Sequence, residues 1–333
     1  MDRLALSAVA TPMTRHMRNL VIALLVGVAL YGAFVLYAGY RDIQVSLSSF
    51  RWTSFGVALA LATFNYGLRF LKWEYYLARL EIRGVAKLDS LLIFLSGFVL
   101  TITPGKVGEV FKSAVLAQTH GVAAARTAPI VVAERLTDVI GVVLLIALGS
   151  AGFQGGLPWA SAGAAAVLLG MLFILWPKPA LVFIGWLEKR RGRLAALAPK
   201  LGVAYRNLQI IATPGALIWP TLLSVAAWGA EGIALYVLLL GFGSDVPLAL
   251  AVFFYATATL AGAIIPVPGG LGVTETMIQE QLVRLGGVAQ GAATASMILV
   301  RFATLWWAVA VGFAALGTLR TRYPALLRDE RTR

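Results

Sequence analysis

The sequence predicts an all-α polytopic membrane protein: an inverted-topology repeat with six full spans, two re-entrant helical hairpins and both termini cytoplasmic. Three observations predict it. Of the 333 residues, 59% are hydrophobic and 13% charged, with a mean hydropathy of +0.83, too few charges to coat a surface that faces water. Apolar runs near the ~20 residues that cross a bilayer recur along the chain. Two more apolar stretches are broken by Pro-Gly corners at corresponding places in the two halves. The chain has no Cys, which excludes a disulfide framework, a thiolate metal site and a cysteine nucleophile.

The first run, about 19–40, follows Arg15, His16 and Arg18. It is too long for a signal peptide and leads into Tyr37, Tyr40 and Arg41 rather than a small-residue cleavage site, so it is expected to stay as a span. Further spans are expected at 53–78, 127–150, 158–176, 214–241 and 288–318. The stretches 88–103 and 106–118 flank Pro104-Gly105, and 248–265 and 271–285 flank Pro268-Gly269-Gly270. Each arm is short for a crossing, Pro stops a helix and Gly permits the turn. Both stretches therefore read as hairpins, 88–119 and 248–285, whose tips hold Pro104, Gly105 and Gly108 in the first and Pro268, Gly269, Gly270 and Gly272 in the second. Non-helical backbone at membrane depth must be satisfied by protein or by a wet cavity, so the tips should point inward. If the arms cross fully instead, the chain has ten helices and every other orientation is unchanged.

Lys and Arg set the orientation. They concentrate in the N-terminal segment, after the second span (Arg79, Arg83, Lys87), in the linker from Lys178 to Arg206 and in the tail from Arg320 to Arg333. The alternate loops hold few, which makes both termini cytoplasmic. The net charge of +13 is thus a topology signal that also meets anionic headgroups, and no motif fits nucleic acid.

Sliding the sequence by 166 residues superposes Glu109 on Glu275, Gly121-Val122 on Gly287-Val288 and Arg135 on Arg301. The chain thus divides into 1–52, an N-terminal segment with the first span; 53–150, repeat 1; 151–213, a connecting span and basic linker; 214–318, repeat 2; and 319–333, a basic tail. The spans that open the two repeats run in opposite directions, so the repeats are inverted, as in many secondary transporters whose sites lie near the midplane.

In each hairpin the second arm starts at the corner, and its unpaired N–H groups and positive dipole end suit an anion. Lys106 and Lys112 add cations in the first hairpin. Arg135 and Arg301 lie within spans, where a charge must be paired or wet. Glu109 with Arg135 and Glu275 with Arg301, each pair 26 residues apart, are expected to neutralise one another and to exchange partners when a phosphate arrives. Glu134, Arg135 and Asp138 form a polar patch on one helical face, with Arg69 or Lys72 as partners for Asp138. Glu231 is the only charge in 214–241, flanked by Trp228 and Tyr236. Arg69, Lys72 and Glu74 read as snorkelling to headgroups from the inner end of their span. His16 and His120 lack a second ligand at metal spacing. Small residues such as Ala162–Ala166 suit close helix packing.

The segments Thr103-Pro-Gly-Lys-Val-Gly-Glu109, Ala133-Glu-Arg-Leu-Thr-Asp138 and Ile265-Pro-Val-Pro-Gly-Gly-Leu-Gly-Val-Thr-Glu275, with the later Arg301, resemble the flippase-like integral membrane family that includes the transmembrane region of lysylphosphatidylglycerol synthases. The resemblance runs from about Leu20 to Gly317. It implies movement of lipids with polar headgroups between leaflets, and it puts Lys106, Glu109, Glu134, Arg135, Asp138, Glu275 and Arg301 at the family's motif positions. Only 16 residues follow Gly317, so no aminoacyl-transferase domain is expected. The expected function is a flippase for an anionic or aminoacylated phosphate-headed lipid, phospholipid or polyprenyl-linked, in a bacterial-type cytoplasmic (inner) membrane. Its partners are membrane lipids with phosphate headgroups; no cofactor or metal is implied, and a homo-oligomer is compatible with the sequence. The alternatives are a transporter of a small soluble anion and a membrane enzyme acting on lipid-linked phosphate. Substrate-binding candidates are Lys106, Glu109, Lys112, Glu134, Arg135, Asp138, Glu231, Glu275 and Arg301.

Overall fold

Helices long enough to bury their backbone groups, separated by Gly and Pro corners, dominate the computed structural model. It describes residues 32, 40–103, 109–150, 158, 161, 163–165, 168–169, 176–189, 193–265 and 267–327. Among them there is no strand. The span expected at 19–40 falls almost wholly outside the described residues, that at 158–176 falls outside them in larger part, and the first hairpin tip from Pro104 to Gly108 falls wholly outside.

In chain order the helices are α1 (Tyr40–Ser48), α2 (Trp52–Arg79), α3 (Lys87–Ser96), α4 (Phe111–His120), α5 (Ala124–Ser150), α6 (Pro177–Glu188), α7 (Arg193–Ile211), α8 (Pro214–Gly241), α9 (Leu248–Ile264), α10 (Val273–Arg284), α11 (Gln290–Arg301) and α12 (Trp307–Arg322). A 3₁₀ turn, Gly97–Leu100, extends α3, and a π turn, Phe302–Trp306, joins α11 to α12 without a break. Three helical stretches are long and apolar enough to cross a membrane: α2, α8 and the continuous Gln290–Arg322. At 28 residues, α2 and α8 each reach about 42 Å. The 27-residue α5 is as long, but Glu134, Arg135 and Asp138 interrupt its apolar course.

The basic segment after the fourth expected span is more ordered than a linker. It folds as α6 and α7, which close on a small core of Ala180, Ile184, Leu187, Ala198 and Tyr205. Apolar residues at helical spacing on both segments account for the pairing.

The second hairpin is α9 and α10, packed against each other and joined through Pro268–Gly270. Gly269, Gly270 and Gly272 have φ of 61°, 71° and 84°, a left-handed backbone that a side chain would strain. Gly272 N–H donates to Glu275 Oε2 at 2.8 Å, which satisfies one of the free donors at the start of α10. In the first hairpin α3 and its 3₁₀ extension pack against α4, which ends at Gly121 with φ 68°.

The long helices cross-brace the hairpins. α5 packs against α9, the first arm of the second hairpin, and α12 packs against α3 and the 3₁₀ turn, the first arm of the first hairpin. Both contacts are made at glycines. A Cβ on Gly149 would lie 2.8 Å from Phe253 Cβ, and one on Gly312 would lie 2.6 Å from Val99 N, so only glycine allows the helices to approach so closely. α2 and α8 pack along each other at the centre.

Buried apolar side chains form two large cores. One holds Ala58, Val142, Ile146, Leu235, Leu238, Phe253, Phe254, Ile278 and Val300. The other holds Tyr66, Trp73, Phe94, Phe98, Ile130, Leu136, Leu217 and Leu316. The boundary cuts α2 near Asn65, α5 near Asp138, α8 near Ser224 and the last long helix near Thr304. Along that boundary lie the buried polar and charged residues.

Candidate functional site

Polar residues at positions 65, 69, 72 and 76 of α2 share one helical face, and that face is turned inward. Arg69 is 7% exposed and Lys72 is 1% exposed. The expectation that they snorkel to headgroups is therefore wrong: each has carboxylate partners inside the bundle, which reward burial more than the short reach to the interface would. Only Glu74 lies toward the helix end, where Lys87 and Ser90 donate to it.

From these residues an ion network spreads across α2, α4 and α5. Glu109 Oε2 takes Arg69 at 3.1 Å and Arg135 at 3.0 Å. Arg135 also reaches Asp138 at 3.0 Å. Asp138 Oδ1 takes Lys72 Nζ at 2.7 Å and the Ser224 hydroxyl at 3.0 Å, and Lys72 donates to Ser224 at 2.7 Å. Lys112 pairs with Glu134 at 2.6 Å and lies against the rings of Trp73 and Phe94. In the second half of the chain, Arg301 Nε meets Glu275 Oε1 at 2.5 Å and its Nη2 donates to Gly269 O at 2.8 Å, so one guanidinium ties the long helix to the hairpin tip. Both ion pairs expected from the 26-residue spacing are formed, and so is the Lys72 partnership of Asp138.

Between α2, α5, α8, α9 and the last long helix lies a cavity of about 230 Å³. Three guanidinium groups face it, Arg69, Arg135 and Arg301, against two carboxylates, Asp138 and Glu231. Thr101 and Thr103 line it from the first hairpin, and Gly269, Gly270 and Thr274 from the second. The second tip abuts the end of the first hairpin's first arm, since a Cβ on Gly269 would lie 3.4 Å from Ile102 Cα. Tyr66, Trp228 and Tyr255 supply aromatic wall, and the Tyr255 hydroxyl donates to Glu231 Oε2 at 2.6 Å. Arg135 Nε, Thr101 Oγ1 and Asp138 Oδ2, all buried on this wall, have no hydrogen-bond partner among the described residues, although Asp138 Oδ2 lies 3.0 Å from the Arg135 guanidinium. Buried polar groups are normally satisfied, which marks this wall as a candidate ligand site.

Of the residues singled out from sequence, Arg135, Asp138, Glu231, Arg301, Gly269 and Gly270 line the cavity. Glu109 and Glu275 lie one layer behind and hold the arginines, and Lys112 with Glu134 forms a separate buried pair. Pro268 and Gly272 shape the second tip without lining the cavity. Lys106, with Pro104, Gly105 and Gly108, lies outside the described residues. Sequence reasoning missed Arg69, Tyr66, Tyr255, Thr101 and Ser224. The spacing of Asn65, Arg69 and Lys72 was the available signal for the first.

What the cavity can do chemically is bind an anion through forked guanidinium donors, with carboxylates and aromatic faces nearby for a positive or amphipathic group. Among the described residues no cluster of three or more potential metal ligands occurs. Comparison with known proteins agrees with a membrane protein. A UPF0104 membrane protein of Methanothermobacter thermautotrophicus is 30% identical over 100 residues, which are 30% of this chain and 29% of the relative; the match thus spans under a third of either protein. The family model described as the lysylphosphatidylglycerol synthase TM region matches residues 21–312. That match takes in both hairpins, all three cavity arginines and the two carboxylates that hold them, and the chain is an integral membrane protein belonging to this family.

Proposed function

We propose that the protein moves a phosphate-headed lipid, anionic or aminoacylated, between the leaflets by alternating access at its two hairpin tips. The observation that carries this is the convergence of Arg69, Arg135 and Arg301 on one cavity that Thr101 and Thr103 line from the first hairpin and Gly269 and Gly270 from the second. Arginine binds phosphate through paired donors, and Arg135 Nε and Thr101 Oγ1 are open to a ligand. A volume of about 230 Å³ suits a headgroup without its chains, which stay in the bilayer. Phosphate would replace Glu109 and Glu275 on the arginines, while Glu231, Asp138 and the Trp228 face would take the amine of an aminoacylated head. This is transport and not catalysis. Membership of a family named for a lysylphosphatidylglycerol synthase membrane region supports a lipid substrate.

The proposed topology has six full spans, both hairpins re-entrant from opposite faces and both termini in the cytoplasm, in a bacterial-type cytoplasmic membrane. The reciprocal bracing supports the inverted repeat: α5 of repeat 1 holds the hairpin of repeat 2, and α12 of repeat 2 holds the hairpin of repeat 1. Two such halves can rock about the α2–α8 contact if the headgroup binds both states comparably. The test is transfer of NBD-labelled phosphatidylglycerol across liposomes containing the purified protein, followed by dithionite quenching. Wild-type protein speeds transfer, and Arg135→Ala and Arg301→Ala lose it. Full rates in both variants remove the site, and uptake of inorganic phosphate without lipid transfer removes the lipid.

A further inference from the structure

The last long helix belongs to both apolar cores. Its first half, α11, packs in the core that holds Met297, Val300 and Ala303, and its second half, α12, in the core that holds Ala308, Leu316 and Leu319. The π turn Phe302–Trp306 falls between the two. Among the described residues, the other long helices that cross this boundary, α2, α5 and α8, are α throughout. In the 166-residue register the π turn lies over residues 136–140, so the corresponding segment of the first half of the chain is regular α-helix.

A π turn closes its hydrogen bonds over five residues instead of four; it is rare, and frequent at functional sites. The sequence does not impose this one, since no Pro or Gly occurs from 292 to 311. Side chains of α2 hold it. The Tyr66 hydroxyl donates to Thr304 O at 3.1 Å, and the Trp307 indole N–H donates to Thr63 Oγ1 at 3.0 Å. The backbone N–H of Trp307 reaches back five residues to Phe302 O and three to Thr304 O. Tyr66 also lines the cavity, together with Arg69, Arg301 and Thr304. A phenol has one O–H and gives it to one acceptor at a time. The hydroxyl that holds the turn is therefore the one that an anion in the cavity competes for.

We propose that the π turn is a conformational switch operated through Tyr66 by a phosphate in the cavity. When no anion competes for it, the Tyr66 hydroxyl stays on Thr304 O and the turn stays π. A phosphate held by Arg69 and Arg301 takes the hydroxyl; Thr304 O then turns to the N–H of Ala308, four residues on, and the turn closes to α. The phosphate receives that hydrogen bond only in the α form, the differential contact by which a ligand shifts an equilibrium. Because no residue is lost, closing the turn rotates α12 about its axis relative to α11 by about 100°, the share of one residue. The seam with the first hairpin does not survive that rotation. A Cβ on Gly312 would lie 2.6 Å from Val99 N and 3.0 Å from Phe98 C, so any larger residue brought to the contact pushes the hairpin arm away. Binding in the cavity is thereby converted into release of the first hairpin from α12. The switch rests on the function proposed above only in that its phosphate is a lipid's.

The test uses the full chain, spin-labelled through Val57→Cys on α2 and Ala314→Cys on α12, both exposed positions in a chain without Cys. The distance between labels is read by double electron–electron resonance in dodecyl maltoside micelles, which carry no phosphate, before and after phosphatidylglycerol is added. A rotation of about 100° carries a side chain on a helix about 10–12 Å across through about 8 Å, so wild type should shift by up to about 8 Å when the lipid binds. Tyr66→Phe lacks the hydroxyl, and without lipid it should already show the distance that wild type reaches only with lipid. A merely structural Tyr66 would leave that lipid-free distance in place. Deletion of Ala303 removes the extra residue while keeping the orientation across the π turn, and should hold the lipid-free wild-type distance whatever is added. Equal lipid-free distances for wild type and Tyr66→Phe overturn the proposal whether or not the lipid binds, and so does a wild-type distance that bound phosphatidylglycerol leaves unmoved. The same shift with inorganic phosphate, but none with the lipid, upholds the switch and removes the lipid as its trigger. A shift with no transfer of NBD-phosphatidylglycerol in liposomes upholds the switch and removes the proposed transport; transfer with no shift removes the switch alone.

Discussion

Truncating the two pseudo-equivalent arginines should have unequal costs, and the structure says which is larger. Among the described residues Arg301 is the only cation paired with Glu275, whose other hydrogen bond there is from the Gly272 N–H, and the carboxylate is 1% exposed. Arg301→Ala leaves that charge buried and nearly unpartnered, a loss of about 3–5 kcal/mol. It also removes the donor to Gly269 O that fixes the hairpin tip. Arg135→Ala leaves each carboxylate it touches with another cation. Glu109 keeps Arg69 at 3.1 Å, and Asp138 keeps Lys72 and Ser224. Because the Arg135 side chain is 23% exposed, water further reduces its contribution, and the loss should be about 1–2 kcal/mol. The double variant E275M/R301M, which removes both charges together, should recover most of the stability lost in Arg301→Ala. The assay is unfolding of the purified protein in mixed micelles by SDS titration, read by tryptophan fluorescence. Equal losses for the two arginines, or a double variant as unstable as Arg301→Ala, would refute the reasoning.

Other outcomes follow from the same geometry. Gly270→Ala forces a side chain into φ 71° with its Cβ 2.7 Å from Thr274 Oγ1, which should destabilise by at least about 1–2 kcal/mol in the same titration. Gly312→Ala drives a Cβ against Val99 N and the Phe98 backbone, and should cost about 1–3 kcal/mol by overpacking the α12 seam. The chain has no Cys, so single cysteines report topology cleanly: Asp245→Cys should react with an impermeant thiol reagent in intact cells, and Arg83→Cys only after permeabilisation. The reverse pattern would invert the proposed orientation.

Charge spacing was the most informative signal in the sequence. Glu109 with Arg135 and Glu275 with Arg301 could be paired before any coordinates, because an ionised side chain within an apolar run needs a partner and the two spacings are identical. The break between α9 and α10 was equally legible from Pro268 and three nearby glycines. Arg69 and Lys72 were misread because proximity to the end of a span looks the same whether the side chain reaches outward or inward; only their helical phase with Asn65 separates the two cases. Tyr66, Tyr255 and Thr101 gave no warning, since aromatic and hydroxyl residues are common in apolar helices, and their meeting at one cavity depends on how α2, α9 and the first hairpin pack. The helical pairing of α6 with α7 was hidden by its basic residues, which dominate the composition while Ala180, Ile184 and Leu187 make the core.

The central claim is that a phosphate headgroup sits among Arg69, Arg135 and Arg301 between the two hairpin tips. Cryo-electron microscopy of the protein in nanodiscs that contain phosphatidylglycerol tests it most directly. Density for a phosphate within hydrogen-bonding distance of at least two of these guanidinium groups, with its chains leading into the bilayer, is the predicted result. A cavity filled only by rearranged side chains, with phosphate density confined to the outer surface of the bundle, would contradict it.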